Sequence, residues 1–224
     1  MGVIGQEIFV IIGFLGGTGP EGKGLALRFA LAGDQVIIGS RDKARADEAA
    51  ASVAEYAPEG SVTGGLNDEV ASASDVVFVA VPYGGHRATL ESLREFLAGK
   101  VVVDVVAPLV FKRGIVSATR VEDGSAALEA KAVLPNSTVV AAFQNVSAED
   151  LLEPDTSIES DVIVCADDAD AKAMVIGLAD SIPGIRGVDG GGLQNARYVE
   201  DFTAMLLNIN RIYKAHSTIK IVGI

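Results

Sequence analysis

The residues with the clearest chemical promise lie near the start of the chain. There Gly16-Gly17-Thr18-Gly19-Pro20-Glu21-Gly22 separates an apolar run, Phe9 to Leu15, from a helical stretch, Lys23 to Leu31. The spacing Gly17-x-Gly19-x-x-Gly22 suits a strand that turns tightly into a helix. It lets backbone approach a pyrophosphate and aims the unpaired N–H groups of the helix start at its charge. Glycine-rich turns also simply connect strands to helices, so the surrounding residues decide between the two readings.

A second apolar run, Gln35 to Gly39, ends in Ser40-Arg41. Arg41 follows the loop by about 20 residues, the position at which a dinucleotide fold selects its nucleotide. An NAD-linked chain places Asp or Glu here for the ribose hydroxyls, whereas this one offers a hydroxyl, a guanidinium, and then Lys43 and Arg45. A guanidinium presents a planar fork to phosphate oxygens, and a carboxylate would repel them, so the residues favour a 2′-phosphate and hence NADP. The bland alternative is an ordinary solvated first helical turn. Against it, basic side chains are not what the positive end of a helix dipole attracts.

Ligands in doubly wound sheets bind beyond the carboxyl ends of the strands. Val81-Pro82-Tyr83-Gly84-Gly85-His86 occupies such a place; Pro82 stops a strand, and Tyr83 can lie against nicotinamide or its ribose. His86 is expected to start the next helix and either reach a ligand or serve as a capping or surface histidine. Ala107 and the segment Gln144-Asn145-Val146 hold equivalent positions after later strands. Gly190-Gly191-Gly192 before Leu193 to Arg197 is either an anion site at a helix start or only a turn capped by Asn195. A Gly-x-Ser-x-Gly elbow and a His-Glu-x-x-His helix are both missing from the sequence, and its two histidines exclude a histidine-rich metal site. No catalytic acid, base or nucleophile is expected, which suits hydride passing directly between two bound carriers that the protein orients.

These residues need elements to place them. Phe9 to Leu15, Gln35 to Gly39, Ser61 to Leu66, Val76 to Val81, Val101 to Val106 and Thr138 to Phe143 read as strands with helices between most of them, and Asn67 is positioned to cap a short helix to Ser74. This repetition implies right-handed crossovers and a Rossmann-like, doubly wound parallel α/β sheet. A second block follows Phe143: a strand from Asp161 to Ala166, a helix from Asp168 to Ser181, a strand from Ile185 to Val188, and a last helix from about Gln194 to Tyr213. Tyr198, Phe202, Met205, Leu206, Ile209 and Ile212 form one apolar stripe on that helix, suited to a core or a dimer seam.

The 224 residues, 49% of them hydrophobic, fit one compact unit with strands covered on both faces. A formal net charge of −12 argues against nucleic acid. No apolar run is long enough to cross a bilayer, and Met1 to Gln6 reads as a short extension rather than a leader. Cys165 is the single cysteine, so an intrachain disulfide is impossible and the cytoplasm is the expected compartment.

Taken together, Leu15-Gly16-Gly17-Thr18-Gly19-x-x-Gly22-Lys23-Gly24-Leu25-Ala26, Gly39-Ser40-Arg41, Val164-Cys165-Ala166-Asp167-Asp168, Leu193 to Glu200 and Leu207-Asn208-Ile209 resemble the F420-dependent NADP reductases over nearly the whole chain. The resemblance implies a homodimeric enzyme that moves hydride reversibly between C4 of NADP(H) and C5 of the deazaflavin F420. It implies an NADP-binding domain over residues 1–145 and a small C-terminal α/β part, 146–224, closing the deazaflavin cleft. Thr18, Ser40, Arg41 and Arg45 would hold the 2′-phosphate, with Val81, Pro82, Tyr83 and the segment Phe143 to Val146 lining the cleft. Many members carry histidine where this chain has Gln144, which donates and accepts hydrogen bonds but cannot become cationic. Two other readings keep NADP: reduction of a flavin, carbonyl or imine, and a sensing module that turns nothing over.

Overall fold

The computed structural model describes residues 10–224. Phe9 and the expected extension Met1 to Gln6 lie outside the described residues. Five strands alternating with four helices open the fold: β1 (Ile11–Leu15), α1 (Pro20–Ala32), β2 (Gln35–Ser40), α2 (Lys43–Ala54), β3 (Val62–Leu66), α3 (Asn67–Ala73), β4 (Val76–Val79), α4 (His86–Leu97) and β5 (Val101–Asp104). A hairpin, β6 (Leu109–Lys112) and β7 (Ile115–Ala118), precedes α5 (Ala126–Val133) and β8 (Thr138–Ala141). The chain closes with α6 (Ala148–Leu151), β9 (Ser160–Ala166), α7 (Ala169–Asp180), β10 (Ile185–Asp189) and α8 (Ala196–Tyr213).

One eight-stranded sheet runs in the order β10-β9-β8-β5-β4-β1-β2-β3. Alternate residues of its central strands feed two cores. Ile12, Phe14, Val76, Phe78 and Val103 face one side, and Leu15, Val77, Val79 and Val102 the other, which is why these strands read as unbroken apolar runs. Phe14, Phe29, Phe78 and Phe143 form an aromatic cluster with centroids 5.0 to 6.3 Å apart. Truncating one such ring in a close-packed core costs about 3–5 kcal/mol.

The chain order reverses between β1 and β4. β1 leads outward to β2 and β3, then the chain returns to β4, β5 and β8, so a crevice opens at the carboxyl ends of β1 and β4. The sheet departs from all-parallel at one junction, where β9 runs antiparallel to β8. The reason lies in the connection. Phe143 to Glu159 turns back at the edge where β8 ends, held there by buried Arg28 of α1, whose guanidinium donates to the carbonyls of Asp150, Leu151, Glu153 and Thr156. The connection carries only the four-residue α6, which packs on α1, and the chain re-enters the sheet antiparallel to β8. Ala141 pairs with Cys165 and Val140 with Ala166, so β9 from Ser160 to Val164 runs past the end of β8 and overhangs the crevice edge. β10 then pairs parallel to β9, continuing the same sheet.

The hairpin β6–β7 is absent from the sequence reading. Its two-residue turn places both Arg113 (φ +50°) and Gly114 (φ +75°) in the left-handed region, which the strand twist demands. Arg-Gly carries that signal less clearly than Asn-Gly. Asn67 does not cap α3 as expected: it is the first helical residue, and the preceding Leu66 N–H donates instead to Glu69 Oε2 at 2.8 Å. The apolar stripe of α8 is also divided. Leu206 is buried, but Tyr198, Met205 and Ile212 are exposed, and the face turned inward is Ala196, Val199, Glu200, Ala204 and Leu206.

Candidate active site

The glycine loop is built for three separate reasons. Gly16, at φ +66°, makes the tight turn, one position earlier than the motif's first glycine. Gly17 and Gly22 are forced together by packing: a Cβ on Gly22 would lie 2.5 Å from Gly17 Cα, and one on Gly17 2.6 Å from Phe14 Cβ. Gly19 differs from both. Its φ is −79° and a Cβ there would meet nothing within 4 Å, so neither conformation nor packing requires glycine. Open space before the first turn of α1 is what a bound phosphate would fill, and Pro20 at the first helical position leaves the following N–H groups pointing there. Thr18 is partly exposed beside it.

Glu21 carries an unexpected burden. Its Oε1 is buried without a partner, and burial pushes the carboxyl up to about 8.

At the end of β2, Ser40 and Arg41 line a cleft of about 380 Å³ together with Leu66, Asn67, Asp68, Thr89, Ser92, Leu93 and Phe96. Asp42 caps α2, accepting the Ala44 and Arg45 N–H groups. Lys43 is held by Asp47 at 2.5 Å, whereas Arg41 and Arg45 make no ion pair among the described residues. The cleft's α4 wall was missed by the sequence reading, because Thr89, Ser92 and Phe96 look like any exposed helical face until α4 is packed beside α3.

On the other side of the switch point, half-buried Val81 packs against Gly16, Pro82 is exposed and Tyr83 is half-buried. Ala107 is half-buried beyond β5. After β8 the backbone bends through Phe143 at φ +72°, a strained conformation for an aromatic residue, which turns Gln144 and Asn145 into the protein wall. Gln144 Nε2 donates to the Asp104 carbonyl at 2.8 Å, and Asn145 Nδ2 donates to the Val199 carbonyl at 2.9 Å and to Thr203 at 3.0 Å. Those acceptors fix both amides, leaving Gln144 Oε1 and Asn145 Oδ1 buried and unsatisfied. Unpaired buried carbonyl oxygens await a donor. Val146 is 7% exposed and packs in the core.

Two expectations need correction. His86 does start α4, but it is fully buried with Nε2 on Asp104 and Nδ1 on Glu129, so no ring nitrogen is free for a ligand. In the loop after β10, the Leu193 N–H already donates to Asp167 Oδ1, and Asn195 closes the turn through Nδ2 on the Gly190 carbonyl. That loop is an internally satisfied turn. Cys165 is buried with its thiol pushed up to about 11 by burial, which suits packing and not nucleophilic chemistry.

Residues 11–108 match the family model described as NADP oxidoreductase, coenzyme F420-dependent. The chain is 43% identical over 206 residues to the F420-dependent NADP reductase of Methanothermobacter thermautotrophicus, covering 89% of this chain and 88% of that protein. It belongs to the F420-dependent NADP reductase family. Another member, from Methanocaldococcus jannaschii, is 40% identical over 214 residues, 92% of this chain and 95% of its own. Among solved structures, a protein of Arthrobacter sp. FB24 described as a candidate F420-dependent NADP-reductase superimposes with a TM-score of 0.81. That match is at 27% identity and covers 96% of this chain and 100% of the other. The matched glycine loop, Ser40-Arg41 and Pro82 all fall within the span of the family model, and the identity to the archaeal family members extends into the C-terminal strands and α8.

Proposed function

We propose that this reductase transfers hydride reversibly between NADP(H) and the deazaflavin coenzyme F420. The observation that carries the reading is that Gly19, Arg41 and the ends of β4, β5 and β8 share one edge of the sheet, in a chain 43% identical to an F420-dependent NADP reductase. The open space at Gly19, and Arg41, Arg45 and the Gln144 and Asn145 side-chain oxygens, which have no partner among the described residues, fit such ligands.

Gly17, Thr18, Gly19, Pro20, Glu21 and Gly22 would cradle the pyrophosphate, and Ser40, Arg41 and Arg45, with Thr18, the 2′-phosphate. Val81, Pro82, Tyr83 and Ala107 would shape the nicotinamide end. Gln144, Asn145 and Val146 would back the deazaflavin end of the cleft from within the wall, where both amide oxygens are buried. The carriers supply hydride donor and acceptor carbons; the chain's task is to bring them together and exclude water.

The C-terminal part, 146–224, is assigned the role of closing the cleft against the nucleotide-binding part, 1–145. Support comes from the overhang of β9 and from Asn145 gripping α8. A homodimer is part of the proposal: Tyr198, Met205, Ile212 and Tyr213 of α8, with Phe111 and Ile115 of the hairpin, expose large apolar side chains suited to a second copy. Light scattering on the purified protein tests it. So is a cytoplasmic location, where NADP(H) is available; among the described residues no helix is long and apolar enough to cross a membrane.

The reaction is tested by stopped-flow absorbance with NADPH and oxidised F420, NADH run in parallel. Rapid bleaching of the deazaflavin with NADPH alone is expected. Binding of NADPH without bleaching would refute F420 as acceptor.

A further inference from the structure

The turn after β4 and the end of β5 meet at one buried side chain, His86, and the amide after β8 bonds the main chain of the same strand end. His86 Nε2 lies 2.6 Å from Asp104 Oδ2, and Nδ1 lies 2.9 Å from Glu129 Oε1. His86 and Asp104 are fully buried, and Glu129 is 8% exposed. An ionised carboxylate only accepts, and a neutral imidazole donates from one nitrogen only. Two such contacts on one ring therefore require one proton more than neutral histidine and two carboxylates contain. Placed on the ring, that proton makes an imidazolium held between two anions.

We propose that His86 is a positioning residue: as a buried cation it locks together the loops that set the distance between the two hydride carriers. The geometry shows the connections. Asp104, gripped by the ring through Oδ2, accepts the Val106 N–H on Oδ1 at 3.0 Å and the Gln144 amide on its carbonyl at 2.8 Å. The Tyr83 ring lies 6.1 Å from the imidazole, centroid to centroid. Loss of the cation would leave the Asp104 carboxylate buried and uncompensated, and it would shift or take up water, releasing the Val106 N–H and loosening the strand end to which Gln144 is bonded.

Three elements besides its own bring charge to the ring. From β5 comes Asp104; from α5 comes Glu129, which is also held by Arg87 of α4 at 3.3 Å. Arg87 in turn reaches Asp123 at 2.6 Å. From α8 comes Glu200, accepting the Ala126 and Ala127 N–H groups at the start of α5. Burial drives the His86 pKa down, but the charge and hydrogen bond of Asp104, joined by those of Glu129, outweigh it and carry the group up to about 9.

The proposal rests on the hydride-transfer reading, so its test has an arm that does not need F420. The chain has two histidines, and His216 is exposed, so an H216N variant assigns the imidazole nitrogens in a long-range proton–nitrogen spectrum of the whole protein. Both His86 nitrogens should carry imidazolium shifts from pH 6 to 8 and lose them near pH 9. In Glu129→Gln the midpoint should fall by about one pH unit or more, and the alkaline limb of kcat should fall with it. His86→Gln should lower kcat by about tenfold or more, the scale of a small misplacement of reacting groups, with NADPH affinity changed less than about threefold. A neutral ring at pH 7, or an alkaline limb unmoved in Glu129→Gln, overturns the proposal. If the parent protein reduces no F420, the reaction reading fails separately. The spectrum then still decides the proton, and the fluorescence of bound NADPH decides the positioning: nicotinamide emission equal in His86→Gln and parent overturns it. Should His86→Gln not fold, Glu129→Gln supplies both readouts.

Discussion

The Asn67 side chain reaches across the crevice mouth: its Oδ1 accepts the Gly16 backbone N–H at 3.2 Å. Gly16 sits at φ +66°, so this bond fixes the one left-handed residue of the loop to the start of α3. Asn67 also lines the cleft beside Arg41. Replacing Asn67 with Ala frees the Gly16 N–H and leaves a partly buried donor unpaired, a loss of about 1–3 kcal/mol. NADPH affinity should drop about fivefold or more and the melting temperature should fall, as read by NADPH fluorescence titration and calorimetry. An unchanged affinity would show that the loop holds its shape without this tether.

Gly19 and Gly22 should separate ligand from fold. Gly19→Ala adds a methyl where nothing lies within 4 Å, at a φ any residue adopts, so its melting should stay close to the parent's. That methyl enters the space assigned to pyrophosphate, and NADPH should bind about tenfold or more weakly. Gly22→Ala instead drives a Cβ to 2.5 Å from Gly17 Cα, so the folded state itself should suffer, with a clear loss of melting temperature even without ligand. Equal behaviour of the two variants would refute the assignment of Gly19 to the ligand.

Arg41 decides the choice between the two nicotinamide cofactors. Arg41→Asp removes a guanidinium and adds a repulsive carboxylate where a 2′-phosphate would lie, so NADPH should lose several kcal/mol of transition-state binding and NADH far less. Arg45→Ala should show the same preference in weaker form. Comparable losses in kcat/KM for both cofactors would remove the 2′-phosphate from this cleft.

The sequence revealed the parts of the site that depend on backbone. Glycine spacing is a local property, and the loop and the start of α4 at His86 fall where they were expected, whereas β4, β5 and β8 end at Val79, Asp104 and Ala141, each two residues before the expected Val81, Val106 and Phe143. What it concealed depends on contacts between distant residues. His86 pairs with Asp104 and Glu129 across 18 and 43 positions, and no periodicity announces that three polar residues in apolar surroundings meet at one point. A hint existed in the single acid of the run Val101 to Val106, since an aspartate at a strand end inside the core must find a partner. The antiparallel turn of β9 was hidden for a similar reason: Arg28 on α1 secures the connection from more than 120 residues away. Division of the α8 stripe follows from Glu200, which faces inward because the start of α5 needs its carboxylate.

Glu21, Glu200 and His86 predict how stability varies with pH, and all three act in one direction. Burial pushes Glu21 up to about 8 and Glu200 up to about 7, while the carboxylates around His86 carry it, against its burial, up to about 9. Each folded-state pKa lies above its unfolded value, so the folded chain holds protons that the unfolded chain releases, and stability falls as pH rises. The His86 contribution is fully present below about 6.5 and is lost through about 9. The penalty of ionising Glu200 is complete above about 7 and that of Glu21 above about 8. Melting temperature should therefore decline throughout pH 6 to 9, most steeply between about 6.5 and 7 where all three groups act and least between 8 and 9 where His86 acts alone. Glu21→Gln keeps the shape of the side chain but cannot ionise, so it should flatten the curve between pH 6 and 8 and melt higher than the parent at pH 8.5. A flat parent profile, or a Glu21→Gln profile parallel to it, would mean that the buried Oε1 is reached by water.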